Sequence, residues 1–179
     1  MGFPNGEIFS VENTPATPLI KAVLEVFAAR FLAMPAAIRV ALPGSTVDVR
    51  GRDYCETLGF SQAALHDLPK IILADVHPGE CKIIFVETIT DEYQGRGFTN
   101  ERKQKVLSLA LATGITASSV LFVSAFRDRS QPLFLGLVAS LAWGTCVWFQ
   151  NEQEKLLMFS DGQAADAPSL LGHRQSHSA

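Results

Sequence analysis

The chain has 179 residues, is 47% hydrophobic and carries a net charge of −3, which excludes a low-hydrophobicity disordered chain and a protein that is basic all over. A local basic patch on such a mildly acidic domain is still compatible with phosphate binding. Cys55, Cys81 and Cys146 are widely spaced and form no CxxC pair, so neither a disulfide framework nor a zinc knuckle is indicated, and a reducing cytoplasm is the expected setting.

Residues 1–16, punctuated by Pro4, Gly6 and Pro15, are expected to be a flexible lead-in, with no charged start and apolar core of the kind an export signal has. Thr17-Pro18 makes an N-cap and first-turn pair, and Leu19, Val23, Phe27 and Phe31 then share one face, predicting a helix to about Ala33. Segments 38–42 (IRVAL) and 45–51 (STVDVRG) alternate around Pro43-Gly44 and predict a hairpin, followed by a short helix over 53–60 closed by Gly59. A more apolar hairpin follows: 70–75 (KIILAD) and 82–90 (KIIFVETIT), joined by 76–81 (VHPGEC). Thr99 or Asn100 caps a helix running to Gly114, and 118–126 (SSVLFVSAF) reads as a buried strand. A helix over 131–142 and strands over 145–150 and 155–159 complete the order αββαββαβαββ, an α/β domain over 17–159. Residues 160–179 are small and polar and are expected to be disordered; His173 and His177, four apart, lack the helical context of a metal pair.

Residues 132–149 form an 18-residue run without a charge, just inside the range for a tilted membrane span. Gly144-Thr145 divides the run into a helical half and a β-rich half, TCVWF, so a helix over 132–142 and a sheet strand over 145–149 are predicted. Trp143 and Trp148 each lie in an apolar stretch and are expected in the core.

Glu87 is the single acid near the end of the apolar strand 82–90. Burying an unpaired carboxylate costs several kcal/mol, so such a residue has a proton, a cation or a metal for company. Centring the turn in 76–81 places Asp75 opposite Lys82 and Lys70 opposite Glu87, with facing Cβ atoms about 5 Å apart. Five residues of strand separate Asp75 from Lys70, which puts Asp75 roughly 16 Å along from Glu87 and out of its reach. Asp67 is nearer in sequence to the position opposite Glu87.

The strings LPKIILAD, FVETIT, SAFRDR, LAWGTCVWF and KLLMF, in that order and preceded by FAARFLAMP, resemble the C-terminal catalytic domain of the BsuBI/PstI type II restriction endonucleases, a branch of the PD-(D/E)XK nucleases. The resemblance covers roughly residues 19–159. It implies a mixed central sheet flanked by helices, restriction-endonuclease-like, and Mg²⁺-dependent cleavage of double-stranded DNA at a short palindrome. It further implies a homodimer, since a palindrome is two-fold symmetric, and a cognate DNA methyltransferase that protects the host. Cleavage of this kind needs Mg²⁺ on one or two carboxylates, an activated water and a cation facing the phosphate. Glu87 is the metal carboxylate so implied, with Asp67 as a surrogate second ligand. Arg102, Lys103 and Lys105 at the start of the helix after the loop are candidate phosphate contacts, as are Arg96 in the loop and Arg127 and Arg129 in SAFRDR. Between Thr90 and Arg129 six basic residues face four acidic ones, a local excess in an acidic protein.

The sequence departs from the family at several points. Lys70 stands where the family places its first catalytic Asp, Ile89 stands where the general pattern has Lys, and the loop DEYQGRGFTNE, with Tyr93 and Arg96, lacks the Gly-Pro often found there. Family members also carry a helical region before this domain. Lys70 has two open readings: a cation aimed at the phosphate in place of the missing lysine, or a cross-strand ion pair that neutralises Glu87. A catalytically inactive nuclease-fold module that binds DNA or a protein is accordingly the alternative function, and a single-pass membrane protein the third.

Overall fold

The computed structural model describes residues 2, 6, 14–42, 48–50, 52–91 and 95–160. The expected lead-in over 1–16, the tail over 160–179 with its histidines, and Tyr93 lie wholly or mostly outside them.

The elements follow the order expected from the sequence. Helix α1 (Thr17–Ala22) passes through a π-helical segment, Val23–Phe27, into α2 (Ala28–Phe31). Strands β1 (Pro35–Ala41) and β2 (Asp48–Arg50), helix α3 (Arg52–Thr57), strands β3 (Ile71–His77) and β4 (Glu80–Thr88), helix α4 (Asn100–Ala112) and strand β5 (Val120–Phe126) follow. Helix α5 (Pro132–Leu137), a 3-10 turn over Val138–Ser140, and strands β6 (Thr145–Phe149) and β7 (Leu156–Phe159) complete the fold. One seven-stranded sheet results, in the order β2-β1-β3-β4-β5-β6-β7. It is mixed: β4, β5 and β6 run parallel, and the remaining neighbours are antiparallel.

The hairpin register agrees with the sequence. Asp75 pairs with Lys82 and Ile71 with Val86, and the loop shrinks to Pro78-Gly79, where Gly79 takes φ +87°, a conformation that favours glycine. Asp75 is structural: its carboxylate accepts the amides of Ala33 (3.1 Å) and Met34 (2.7 Å) at the end of α2.

Strand alternation divides the core into two layers. Ile71, Leu73, Ile84, Val86, Val123 and Trp148 pack under α1 and α2, where Trp148 meets Phe27 edge-on at 5.7 Å. Ile72, Ile83, Phe85 and Phe122 face the other way, against Cys55 of α3 and Val106 and Ala110 of α4. Burial of each large side chain contributes roughly 1.5–3 kcal/mol, and these two layers make the sheet the rigid element on which the loops are mounted.

The stretch 132–149 is a short helix, a 3-10 turn and a strand; among the described residues no helix is long and apolar enough to cross a membrane. The helix predicted over 131–142 is shorter than expected, because Gly136 and the serine-capped turn at Ser140, whose Oγ donates to the carbonyl of Leu137, break it early. Trp148 is buried as expected, but Trp143 is not in the core and is 60% exposed. It falls in the connection just before β6, where its ring meets that of Phe159 edge-on at 6.2 Å.

Candidate active site

Glu87 shares the side of β4 occupied by Ile83 and Phe85, so it faces the layer of α4, near the buried end of the strand. Ser124 lies beside it in register on β5, and the Ser124 Oγ accepts the amide of Phe98 at 3.0 Å. That bond draws the segment leading into α4 against the sheet. Gly97 makes the approach possible: at φ +61°, an added Cβ would lie 2.9 Å from Leu141 Cδ2 and 3.1 Å from Ser124 Oγ. Thr99 then caps α4, its Oγ1 accepting the amide of Arg102 at 3.3 Å.

Arg102 is thereby aimed at Glu87. Its Nε and Nη2 donate to Glu87 Oε1 at 2.8 and 2.5 Å, and its Nη1 donates to the backbone carbonyl of Asp67 at 2.6 Å. The cation that the sequence required for Glu87 is Arg102 and not Lys70. Among the described residues Lys70 makes no ion pair; it is half-buried just before β3, and its carbonyl accepts the amide of Ala41 at 2.8 Å. One turn along α4, Lys105 reaches Asp67 Oδ1 at 2.6 Å. That hydrogen bond, together with the charges of Lys105 and Arg102, holds the Asp67 carboxyl below its ordinary range.

These groups border a cleft of about 370 Å³ lined by Glu87, Gly95, Arg96, Gly97, Thr99, Glu101, Arg102 and Lys105. Of the candidate residues, Glu87, Arg96, Arg102 and Lys105 line the cleft; Asp67 lies outside its lining and is tied to it through Arg102 and Lys105. Lys103 turns away and donates to the carbonyl of Trp143 at 2.6 Å. Arg129 pairs with Glu152 at 2.7 Å, and Arg127 borders a separate recess of about 170 Å³ with Thr90, Asp91 and Gln131. Asp128 ties neither arginine by a hydrogen bond; it accepts the amide and hydroxyl of Ser130 and the side-chain amide of Asn151, which hold its carboxyl down at about 2.

Sequence reasoning missed Arg39. It is 4% exposed in β1, and its Nη1 donates to the carbonyls of Leu65, Leu68 and Pro69. Its signal was a lone charge inside the apolar strand IRVAL. Glu101 and the glycines of the cleft wall were likewise not singled out as site residues.

A family model described as the BsuBI/PstI restriction endonuclease domain matches residues 1–162. The chain belongs to the BsuBI/PstI restriction endonuclease family. A solved structure of the SdaI restriction endonuclease has the same fold: the TM-score is 0.71 at 20% sequence identity, over 87% of this chain and 46% of that one. This BsuBI/PstI domain therefore spans under half of that protein's length. No curated protein sequence matches it significantly. The family match extends the resemblance seen in the five sequence motifs to both ends of the described domain.

Proposed function

We propose that this chain is a type II site-specific endodeoxyribonuclease that hydrolyses phosphodiester bonds of double-stranded DNA with Mg²⁺, in the cytoplasm, as a homodimer within a restriction-modification system that includes a DNA methyltransferase. Family membership supports the reaction class, and one observation carries the site: a nearly buried strand-end carboxylate, Glu87, borders an open cleft beneath the start of a basic helix.

Mg²⁺ is hard and retains several waters, needing only one or two protein carboxylates. Among the described residues no three His, Cys, Asp or Glu side chains gather into a metal cluster, yet the donor set fits so sparing a ligand. Arg102 uses only Oε1 of Glu87; Oε2 accepts no hydrogen bond from the described residues and is not sealed from solvent. Glu87 would hold the ion, with Asp67 as the second carboxylate. The ion would supply Lewis-acid stabilisation of the phosphate and a bound water of lowered pKa.

The chain's own residues do the rest. Arg96, exposed on the cleft wall, and Arg102 and Lys105 on α4 attract and orient the DNA backbone, aided by the positive end of the helix. Arg102 offers a planar fork that suits a phosphate and stabilises charge building on its oxygens. The sheet and the Phe98–Ser124 bond keep these groups fixed on one another.

The test is plasmid cleavage with Mg²⁺ by wild type and Glu87→Ala, with duplex binding measured at low and moderate salt. Cleavage that disappears in Glu87→Ala, and affinity that falls steeply with salt, are expected. Cleavage undiminished by Glu87→Ala would refute the site.

A second reading, an inactive module that binds DNA, is favoured by one feature: Lys70 occupies the family's acid position, and both remaining carboxylates are paired with cations of α4. An inert wild type that binds duplex, and gains cleavage on Lys70→Asp, would establish it.

A further inference from the structure

Arg102 has two incompatible tasks. Its guanidinium spends Nε and Nη2 on Glu87 and Nη1 on the Asp67 carbonyl, so the Nε–Nη2 edge that grips an anion bidentately is committed inside the protein. A phosphate gripped bidentately through that edge competes with Glu87 for it, and a divalent cation on Glu87 shares the carboxylate with the guanidinium. With the guanidinium on Oε1, a metal on the open Oε2 would set two positive charges side by side on one carboxylate.

The burial of the pair says which partner moves. The Glu87 side chain is 9% exposed and held at a strand end, whereas Arg102 is 26% exposed on the cleft wall. Arginine forks bind phosphate and carboxylate with matching bidentate geometry, so an entering phosphate is a direct competitor for Arg102. Arg96, Lys105 and the α4 N-terminus raise the local concentration of that competitor.

We infer that the DNA backbone unlocks the metal site: without DNA, Arg102 occupies Glu87, and a backbone phosphate draws the guanidinium away, so that the divalent ion is taken up with DNA and not before it. This rests on the nuclease reading and adds to it an obligatory order of binding. Arg102 acts here as a positioning residue for the metal carboxylate, besides contacting the phosphate.

The probe is Mn²⁺, counted from the electron-paramagnetic signal of the free ion, with Glu87→Gln carried alongside so that ions held by DNA itself cancel. Without duplex, wild type and Glu87→Gln should bind equally little Mn²⁺, and Arg102→Gln should take up one Glu87-dependent ion at least tenfold more tightly than wild type. With a duplex oligonucleotide pool, wild type should gain that ion. Arg102→Lys, which keeps the charge but loses the fork, should lie between the two and serves if Arg102→Gln does not fold. The inference is overturned if wild type already holds the Glu87-dependent ion without duplex, or if both Arg102 variants fold and bind no better than wild type. Failure of the nuclease reading looks different: wild type and Mg²⁺ leave plasmid intact whatever the Mn²⁺ counts show.

Discussion

Arg39 Nη1 donates to the backbone carbonyl of Leu65 at 2.8 Å across the buried base of the 65–69 turn. The same nitrogen also serves Leu68 and Pro69, so one strand arginine anchors the turn that presents Asp67 to α4. Arg39→Leu should leave those carbonyls without this donor and destabilise the fold by about 1–3 kcal/mol. Chemical denaturation measures this; an unchanged midpoint would mean the turn is held by other means.

Lys70 should be dispensable for stability. Its side chain makes no ion pair among the described residues, and its carbonyl bond to Ala41 survives substitution. Lys70→Ala is expected to change unfolding free energy by under about 0.5 kcal/mol. If its ammonium faces the phosphate, cleavage falls on the order of 10²-fold in the same variant. A large stability loss would show instead that Lys70 shares the neutralisation of Glu87.

Gly97→Ala should be costly in a position that is not itself catalytic. A left-handed backbone and a Cβ 2.9 Å from Leu141 Cδ2 together predict a loss of about 1–3 kcal/mol. Because the contact extends to Ser124, which receives the Phe98 amide, duplex binding should weaken too. Denaturation and fluorescence anisotropy would check the two effects separately.

Asp128 gives a pH signature. Its carboxyl is held at about 2 by the Ser130 amide, then by the Ser130 hydroxyl and the Asn151 amide. A depressed carboxyl stabilises the native state above its unfolded pKa, near 4, and that stabilisation is lost as pH falls through about 2. Carbon-13 NMR of the carboxyl should give a midpoint close to 2, and wild type and Asp128→Asn should differ in melting temperature at pH 5 and converge toward pH 2. A midpoint near 4 would contradict the bonding seen here.

Trp143 and Trp148 should separate optically. Trp148 is fully buried and Trp143 is 60% exposed. Acrylamide should quench one emitting population readily, and Trp143→Phe should remove it. Persistent quenching in that variant would place Trp148 within solvent reach.

What could be read from the chain followed from local signals. The two apolar runs 70–75 and 82–90, with the turn centred in 76–81, set the β3–β4 register, and the change to helical spacing after Thr99 located α4, because both signals are local. The Glu87–Arg102 pair was out of reach: it depends on how α4 crosses the end of β4, an angle set by Gly97, Ser124 and Phe98 together. The same limit applied to Trp143, whose apolar neighbours Leu141 and Ala142 are buried while its own side chain emerges into solvent. Hydrophobic context describes a segment, whereas exposure is decided residue by residue at its end.

The central strand also sets a timetable. β4 joins β3 through a two-residue turn, a connection that closes in microseconds, but it reaches β5 only after α4 has crossed over the sheet. Val86 should therefore be paired before Arg102 docks, whereas Glu87, whose register partner is Ser124 of β5, should join the ladder only with the crossover. In pulse-labelled hydrogen exchange, amides of the β3–β4 hairpin should gain protection ahead of Phe98 and Arg102. During that interval the carboxylate faces water, so the nascent sheet incurs the cost of burying its charge only when the arginine arrives.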